Sequence, residues 1–181
     1  MKRLLRILSK FYVIFYAIYG KLYPVKYAKH LGVEMKGKVF IYCSSFSMFS
    51  TEPWLITLGD NVHITNGVKF INHDGGTLIL RKFVPDLEIT KPITVGNDVY
   101  IGINTIIMPG VNIGNNVIIG AGSIVTRDIP DNSVAVGVPA KRIKSVDEYL
   151  EKAKKDSLHI GHLTYKAKEK ELKRIFGIKK D

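Results

Sequence analysis

The chain has a single cysteine, Cys43, so no intrachain disulfide staples it, which suits a reducing cytoplasm. Cys43 itself reads as core filler rather than as a nucleophile. No apolar run approaches the ~20 residues that a spanning helix requires; the run Phe11–Tyr19 has only nine. Lys2, Arg3, Arg6 and Lys10 ahead of that run give the outline of a signal peptide, but the small-x-small cleavage site that would complete one is missing. Acidic residues are scarce, 16 against 27 Lys and Arg, for a net charge of +11. The imbalance is local: residues 1–38 hold nine bases against one acid, residues 39–140 five against eight, and residues 141–181 thirteen against seven. Basic ends of this kind attract phosphates, anionic headgroups or acidic glycans. A basic-aromatic nucleic-acid motif is absent, so no nucleic-acid partner is expected.

What the chain does have is a beat of six. From Val95 an aliphatic residue returns at Ile101, Ile107, Ile113, Ile119 and Val125, with Gly directly after it at Gly96, Gly102, Gly114 and Gly120. A second column of small or β-branched residues runs through Val99, Thr105, Val111, Val117, Ser123 and Ile129. Leu58, Ile64 and Phe70, with Val62 and Val68, keep the same beat earlier. Neither a helix nor an ordinary strand has this period, so it marks an internal hexapeptide repeat. Each hexapeptide is one short strand and a turn, and three make one coil of a parallel β-helix. Gly, Asn and Asp fall at the turns, where positive φ is needed. The fold class expected is an all-β core with helical segments at both ends, divided as residues 1–38, 39–144 and 145–181.

The N-terminal segment reads as a helix over Leu4–Leu31. It either packs on the first coils or on a neighbouring subunit, or lies in the face of the inner membrane with its cations on lipid phosphates; the two readings are compatible. Residues Val146–Phe176, rich in Lys and Glu, read as helix after the coil ends. Two breaks interrupt the repeat. Residues 39–57 form a degenerate coil with Pro53-Trp54 at a corner. From Phe70 to Val95 the register slips by one residue, so residues 76–92 are expected to leave the coil, and long loops inside a compact repeat are usually functional.

The segments Pro53-Trp54-Leu55-Ile56, Leu58-Gly59-Asp60-Asn61-Val62, Asn66-Gly67-Val68 and His73-Asp74-Gly75-Gly76 resemble the hexapeptide-repeat acyltransferases. So do Val99-Tyr100-Ile101-Gly102-x-Asn104, Pro109-Gly110-Val111-x-Ile113-Gly114, Gly120-Ala121-Gly122-Ser123 and Gly137-x-Pro139-Ala140-Lys141. The nearest branch is the sugar O-acetyltransferases of bacterial surface polysaccharides, with galactoside, maltose and xenobiotic acetyltransferases as cousins, over roughly residues 39–144. The resemblance implies a left-handed parallel β-helix, a homotrimer with active sites between subunits, and acetyl-CoA as acyl donor to a sugar or glycan-precursor acceptor. Tyr100 stands where relatives commonly carry Trp, and His63 has no role that the resemblance supplies.

A sugar hydroxyl is a poor nucleophile at neutral pH, and an imidazole suits the task of taking its proton. His73, in the last hexad before the excursion, is the expected base. Asp74 either orients it or serves the turn; Glu88 is a second candidate partner and, with Asn72 and Tyr100, a candidate acceptor contact. Asn72 equally reads as a turn cap. No Ser–His–Asp nucleophile arrangement is present, which favours direct transfer. CoA is expected along the groove between coils, against Asn104, Ala121, Gly122 and Ser123, with Lys141 and Arg142 on its phosphates and Arg127 as a weaker contact. Arg81, Lys82 and Lys91 hint at an anionic acceptor.

The hexad alone is shared with nucleotidyltransferase tails and with γ-class carbonic anhydrases. The latter need three His around zinc, and only His63 and His73 lie in the repeat, so no metal is expected. An N-acetyltransferase for an amino-sugar and a non-catalytic glycan-binding scaffold remain as alternatives.

Overall fold

The computed structural model describes residues 2–178, and the side chains of residues 11–178. The cations Lys2, Arg3, Arg6 and Lys10 therefore lie outside the described side chains. The N-terminal segment is two helices rather than the one expected: α1 (Lys2–Leu22) and α2 (Pro24–His30). The break falls at Tyr23, held at φ −133° and ψ 60°. Pro24 has no N–H to give and drives the residue before it out of the helical region.

Twelve of the thirteen strands that follow run parallel, in three sheets. The four-stranded sheet holds β1 (Glu34–Met35), β3 (Ile56–Leu58), β6 (Ile93–Val95) and β9 (Asn112–Ile113). The six-stranded sheet holds β2 (Val39–Ile41), β4 (Val62–Ile64), β7 (Val99–Ile101), β10 (Val117–Ile119) and β12 (Ser133–Gly137), with β13 (Ala140–Lys144) added antiparallel at its end. The three-stranded sheet holds β5 (Lys69–Phe70), β8 (Ile106–Ile107) and β11 (Ile124–Val125). The chain visits these sheets in turn. From β6 to β11 paired residues lie eighteen apart: Thr94 with Asn112, Val99 with Val117, Ile106 with Ile124; the last pairing is shorter, Val117 with Ser133 at sixteen. Three hexads thus make one circuit, as the sequence period requires.

Both columns of the repeat point inward. Leu58, Ile64, Phe70, Val95, Ile101 and Ile107 are each at most 1% exposed, as are Val62, Val68, Val99 and Val117. Burying each such side chain contributes about 1.5–3 kcal/mol. Thr105 and Ser123 occupy the same inner column, and each donates its hydroxyl to the Gly120 carbonyl. Outside the core, one corner carries a ladder of side chains: Asn97 Oδ1 accepts from the Asp60 amide, Asn115 Oδ1 from Asn97, and Asp131 Oδ1 from Asn115. Gly96 is required beside it, because a Cβ there would fall 2.7 Å from the Gly114 carbonyl oxygen.

Across the excursion the circuit lengthens. Thr57 pairs with Thr94, thirty-seven residues on, nineteen more than a regular turn of the coil. The extra chain leaves and returns as a hairpin: His73 and Thr90 form an antiparallel bridge, and the Asp74 amide donates to the Ile89 carbonyl at 2.9 Å.

The chain divides into one unit that runs through Val146 and a second from Asp147 on. The C-terminal segment is also two helices, α3 (Val146–Asp156) and α4 (Tyr165–Ile175), rather than one. His159 at φ 55° and Gly161 fall in the break between them, a backbone conformation no helix continues through. Each helix carries its own Lys–Glu or Arg–Glu pairs, such as Lys154–Glu151 and Arg174–Glu171.

Candidate active site

Phe70, buried at the end of β5, fixes where the chain departs from the coil. Asn72 then closes the base of the hairpin. It is fully buried; its Oδ1 accepts from Ser50 Oγ at 2.9 Å, its Nδ2 donates to the Lys91 carbonyl at 3.2 Å, and its own carbonyl accepts the Lys91 amide. The expectation of an acceptor contact at Asn72 is corrected accordingly: with no exposed surface, its amide clamps the loop.

His73, one residue on, is 34% exposed at its side chain. Its Nδ1 lies 2.8 Å from Glu52 Oε2 and 3.3 Å from Thr51 Oγ1. Thr51 Oγ1 also donates to Glu52 Oε1. The Thr51 hydroxyl above all holds the Glu52 carboxyl below the ordinary glutamate range; desolvation opposes it, and the hydrogen bond and charge of His73 add to the lowering. An ionised carboxylate only accepts hydrogen bonds, so the proton between the pair belongs to Nδ1. Nε2 is then the nitrogen with a free lone pair.

Asp74, expected either to orient His73 or to serve the turn, takes the turn role. Its Oδ1 accepts the Gly76 amide at 2.9 Å and caps the short 3-10 helix Gly75–Ile79. Glu88 pairs with Arg81, which also donates its Nε to the Leu87 carbonyl. Two hollows open beside His73. One, of about 200 Å³, is lined by Thr51, Glu52, Asp74, Arg81 and Glu88. The other, of about 380 Å³, is more apolar, with Ile71, Ile89, Met108 and Pro109, and Lys91 at its side. His73 lines both. Larger grooves of about 500 and 540 Å³ run along α4 and α3. They are walled by solvated Lys and Glu side chains without a histidine or nucleophile, so His73 is the better-founded centre.

The remaining expected residues lie elsewhere on the coil. Asn104, Ala121 and Gly122 occupy turns between the six-stranded and three-stranded sheets, and His73 follows the opposite edge of the three-stranded sheet. One short strand separates the two edges, roughly 10 Å at ~3.3 Å per residue. Ala121 and Gly122 are exposed and small, which leaves a close approach open to a thin, flexible ligand. Ser123, by contrast, is buried; its hydroxyl donates to the Gly120 carbonyl at 2.7 Å and accepts the Gly137 amide. That corrects its expected place in direct cofactor contact. Lys141 and Arg142 lie on β13, both exposed, with Arg142 Nε on Ser133 Oγ at 3.2 Å. Tyr100 sits on the outer face of the six-stranded sheet beside His63 and lines neither hollow. His63 has partners of its own: Nδ1 meets the Tyr42 hydroxyl at 2.7 Å, Nε2 meets Asn61 Oδ1 at 2.9 Å, and its ring stacks on Phe40. Burial pushes the Cys43 thiol up, with the Gly67 backbone and Lys69 opposing. No group of three His, Cys, Asp or Glu arranged to hold a metal ion occurs among the described residues.

Glu52 and Thr51 are the residues that sequence reasoning missed. Ser50, Thr51 and Glu52 stand 22, 22 and 21 residues before their partners Asn72 and His73, one circuit earlier in this part of the coil, a spacing that the eighteen-residue beat does not signal.

Similarity to known proteins bears on this arrangement. The family described as bacterial transferase hexapeptide (six repeats) matches residues 92–127. Protein CapG of Staphylococcus aureus is 46% identical over 141 residues, 78% of this chain and 82% of that protein. Galactoside O-acetyltransferase of Escherichia coli (strain K12) is 40% identical over 113 residues, 59% of this chain and about half of the relative, 52%. Among solved structures, a galactoside acetyltransferase in complex with coenzyme A superposes with a TM-score of 0.52 at 33% identity, over 70% of this chain and 71% of that one.

Proposed function

We propose that this protein, which belongs to the hexapeptide-repeat acyltransferases, transfers an acetyl group from acetyl-CoA to a sugar hydroxyl of a bacterial surface-polysaccharide precursor, with His73 as general base. The observation that carries the reading is the Glu52–His73 pair between two hollows, 2.8 Å from carboxylate to Nδ1. A base of this kind must have a fixed tautomer, an accessible second nitrogen and room for two reactants. The relative named for galactoside O-acetylation supports a sugar acceptor, and the solved complex of a galactoside acetyltransferase with coenzyme A supports the donor.

Acetyl-CoA supplies the acetyl group as a thioester. His73 Nε2 takes the proton of the acceptor hydroxyl as that oxygen attacks the thioester carbonyl carbon, and returns it to the sulfur that leaves. The Glu52 carboxylate holds Nδ1–H in place and offsets the positive charge on the ring while the proton rests there. No residue of the chain becomes acylated. The polar hollow, with Arg81 and Glu88, suits the hydroxyl-rich acceptor; the apolar hollow suits the acyl end of the donor. Exposed Ala121 and Gly122 fit a pantetheine arm passing close to the backbone, and Lys141 and Arg142 fit its phosphates. Asn104 lies along the same edge.

The same family membership supports a left-handed hand for the coil and a homotrimer. The gap between His73 and the edge that carries Ala121 supports it further. A neighbouring subunit that lays its own Ala121 edge against His73 brings donor and base together.

Thiol release from acetyl-CoA, measured against a panel of free, nucleotide-linked and lipid-linked sugars bearing hydroxyl or amine acceptors, tests the reading. Acceptor-dependent release that collapses in His73→Ala while CoA still binds is the expected result. Release that survives the substitution removes His73 as the base, and a protein that neither turns over nor binds CoA is not this enzyme.

A further inference from the structure

Helix α1 turns its apolar side the wrong way for a helix that serves only to pad a core. Phe11, Ile14, Phe15, Ile18 and Leu22 recur at the spacing of one helix face, yet they are 67, 55, 62, 53 and 63% exposed. The opposite face is the one that meets the body: Gly20 is buried, and a Cβ there would come within 3.1 Å of the Phe46 backbone and the Tyr27 ring. An outward stripe of this size is an interaction surface. It is too short to cross a bilayer, and no helix of the described residues is long and apolar enough to do so.

Charge selects the occupant. Residues 1–38 carry nine Lys and Arg against the single acid Glu34. A second copy of the same helix would bring like charge against like, whereas an anionic surface complements both the stripe and the cations. Tyr12 and Tyr19 flank the stripe, and tyrosine rings are favoured where one edge is apolar and the other is wet. We propose that α1 lies in the interface of a lipid bilayer that carries anionic phospholipid, its Phe11–Leu22 stripe among the acyl chains, with the excess positive charge of residues 1–38 attracting it to the headgroup phosphates. The inference is independent of acetyl transfer, because its test needs no acyl donor or acceptor.

The test is co-sedimentation of the full chain with vesicles of phosphatidylcholine alone, or of phosphatidylcholine mixed with phosphatidylglycerol. The variant is F15D/I18D, its oligomeric mass followed by light scattering. The expected result is partition at least about tenfold stronger onto the anionic vesicles, weakened by salt, and lost in the variant with its oligomeric mass unchanged. Failure of the wild type to bind anionic vesicles overturns the proposal, as does binding that the variant retains. A variant whose oligomeric mass falls also overturns it, since the stripe is then a contact between subunits.

Discussion

Glu52 Oε2 stands 2.8 Å from His73 Nδ1, although twenty-one residues separate the two in the chain. The coil creates the pair: Glu52 precedes the corner at Pro53–Leu55, and His73 begins the excursion one circuit later. Replacing Glu52 with Gln keeps the shape and removes the charge that opposes a protonated ring. The amide can also present its NH₂ to Nδ1 and so favour the other tautomer. Turnover of E52Q is expected to fall roughly 10- to 10³-fold, with KM for acetyl-CoA nearly unchanged. Steady-state kinetics check it; a KM effect with unchanged turnover would mean that Glu52 serves binding instead.

The same carboxyl predicts a pH dependence of stability. Thr51 and His73 lower its pKa in the folded protein, so the folded state binds its proton less readily than the unfolded chain does. The stabilisation is therefore complete above the unfolded value, about 4.3, and is lost as pH falls through the lower folded value. Urea unfolding at a series of pH values, wild type beside Glu52→Gln, should show a gap that is constant near neutrality and narrows only on the acid side of that point. A gap that widens as pH falls below that point would contradict the sign.

Asn72 makes a different demand, because its amide is buried and bonded at both ends. Asn72→Ala leaves the Ser50 hydroxyl without its acceptor and the Lys91 carbonyl without its side-chain donor, at a cost of about 1–3 kcal/mol. The loss should be felt at the hairpin base first. Limited proteolysis is expected to cut residues 76–90 faster in the variant, while the coil unfolds with little change in cooperativity. Equal cleavage of both proteins would show that the loop holds without this clamp.

The coil was legible in the sequence because its period is enforced by burial. Leu58, Ile64, Phe70 and Ile101 must point inward in every circuit, so their spacing survives any choice of turn residue. His73 stood out as a candidate for a related reason, since it sits where that beat breaks. Glu52 was not, because the coil before β3 has its own length: Val39 pairs with Val62, twenty-three residues on, rather than eighteen. A carboxylate cannot be assigned to a histidine one circuit away until that length is known. Asp74, adjacent in sequence, looked the nearer partner, yet an Asp before a short helix is drawn to its free amides, and Gly76 N takes it. The two end helices read as single segments because apolar and charge patterns cross the breaks at Tyr23 and His159, where backbone conformation alone ends the helix.

Ala121 supplies the sharpest separation of binding from chemistry. It is exposed at the turn between the six-stranded and three-stranded sheets, across the three-stranded sheet from the edge that His73 follows, and nothing in the core depends on its methyl group. A large side chain there leaves the inner columns at Ile119 and Ser123 untouched while filling the groove assigned to pantetheine. Ala121→Trp is thus expected to fold with a thermal midpoint close to that of wild type and to weaken CoA at least about tenfold by calorimetric titration, ~1.4 kcal/mol. At saturating donor its turnover should recover, since Glu52 and His73 are not displaced. His73→Ala should behave in the opposite way, binding CoA normally and losing turnover by roughly 10²- to 10⁴-fold. If Ala121→Trp binds CoA as well as wild type does, the donor does not cross that edge, and the assignment of the cofactor groove to it fails while the case for His73 stands.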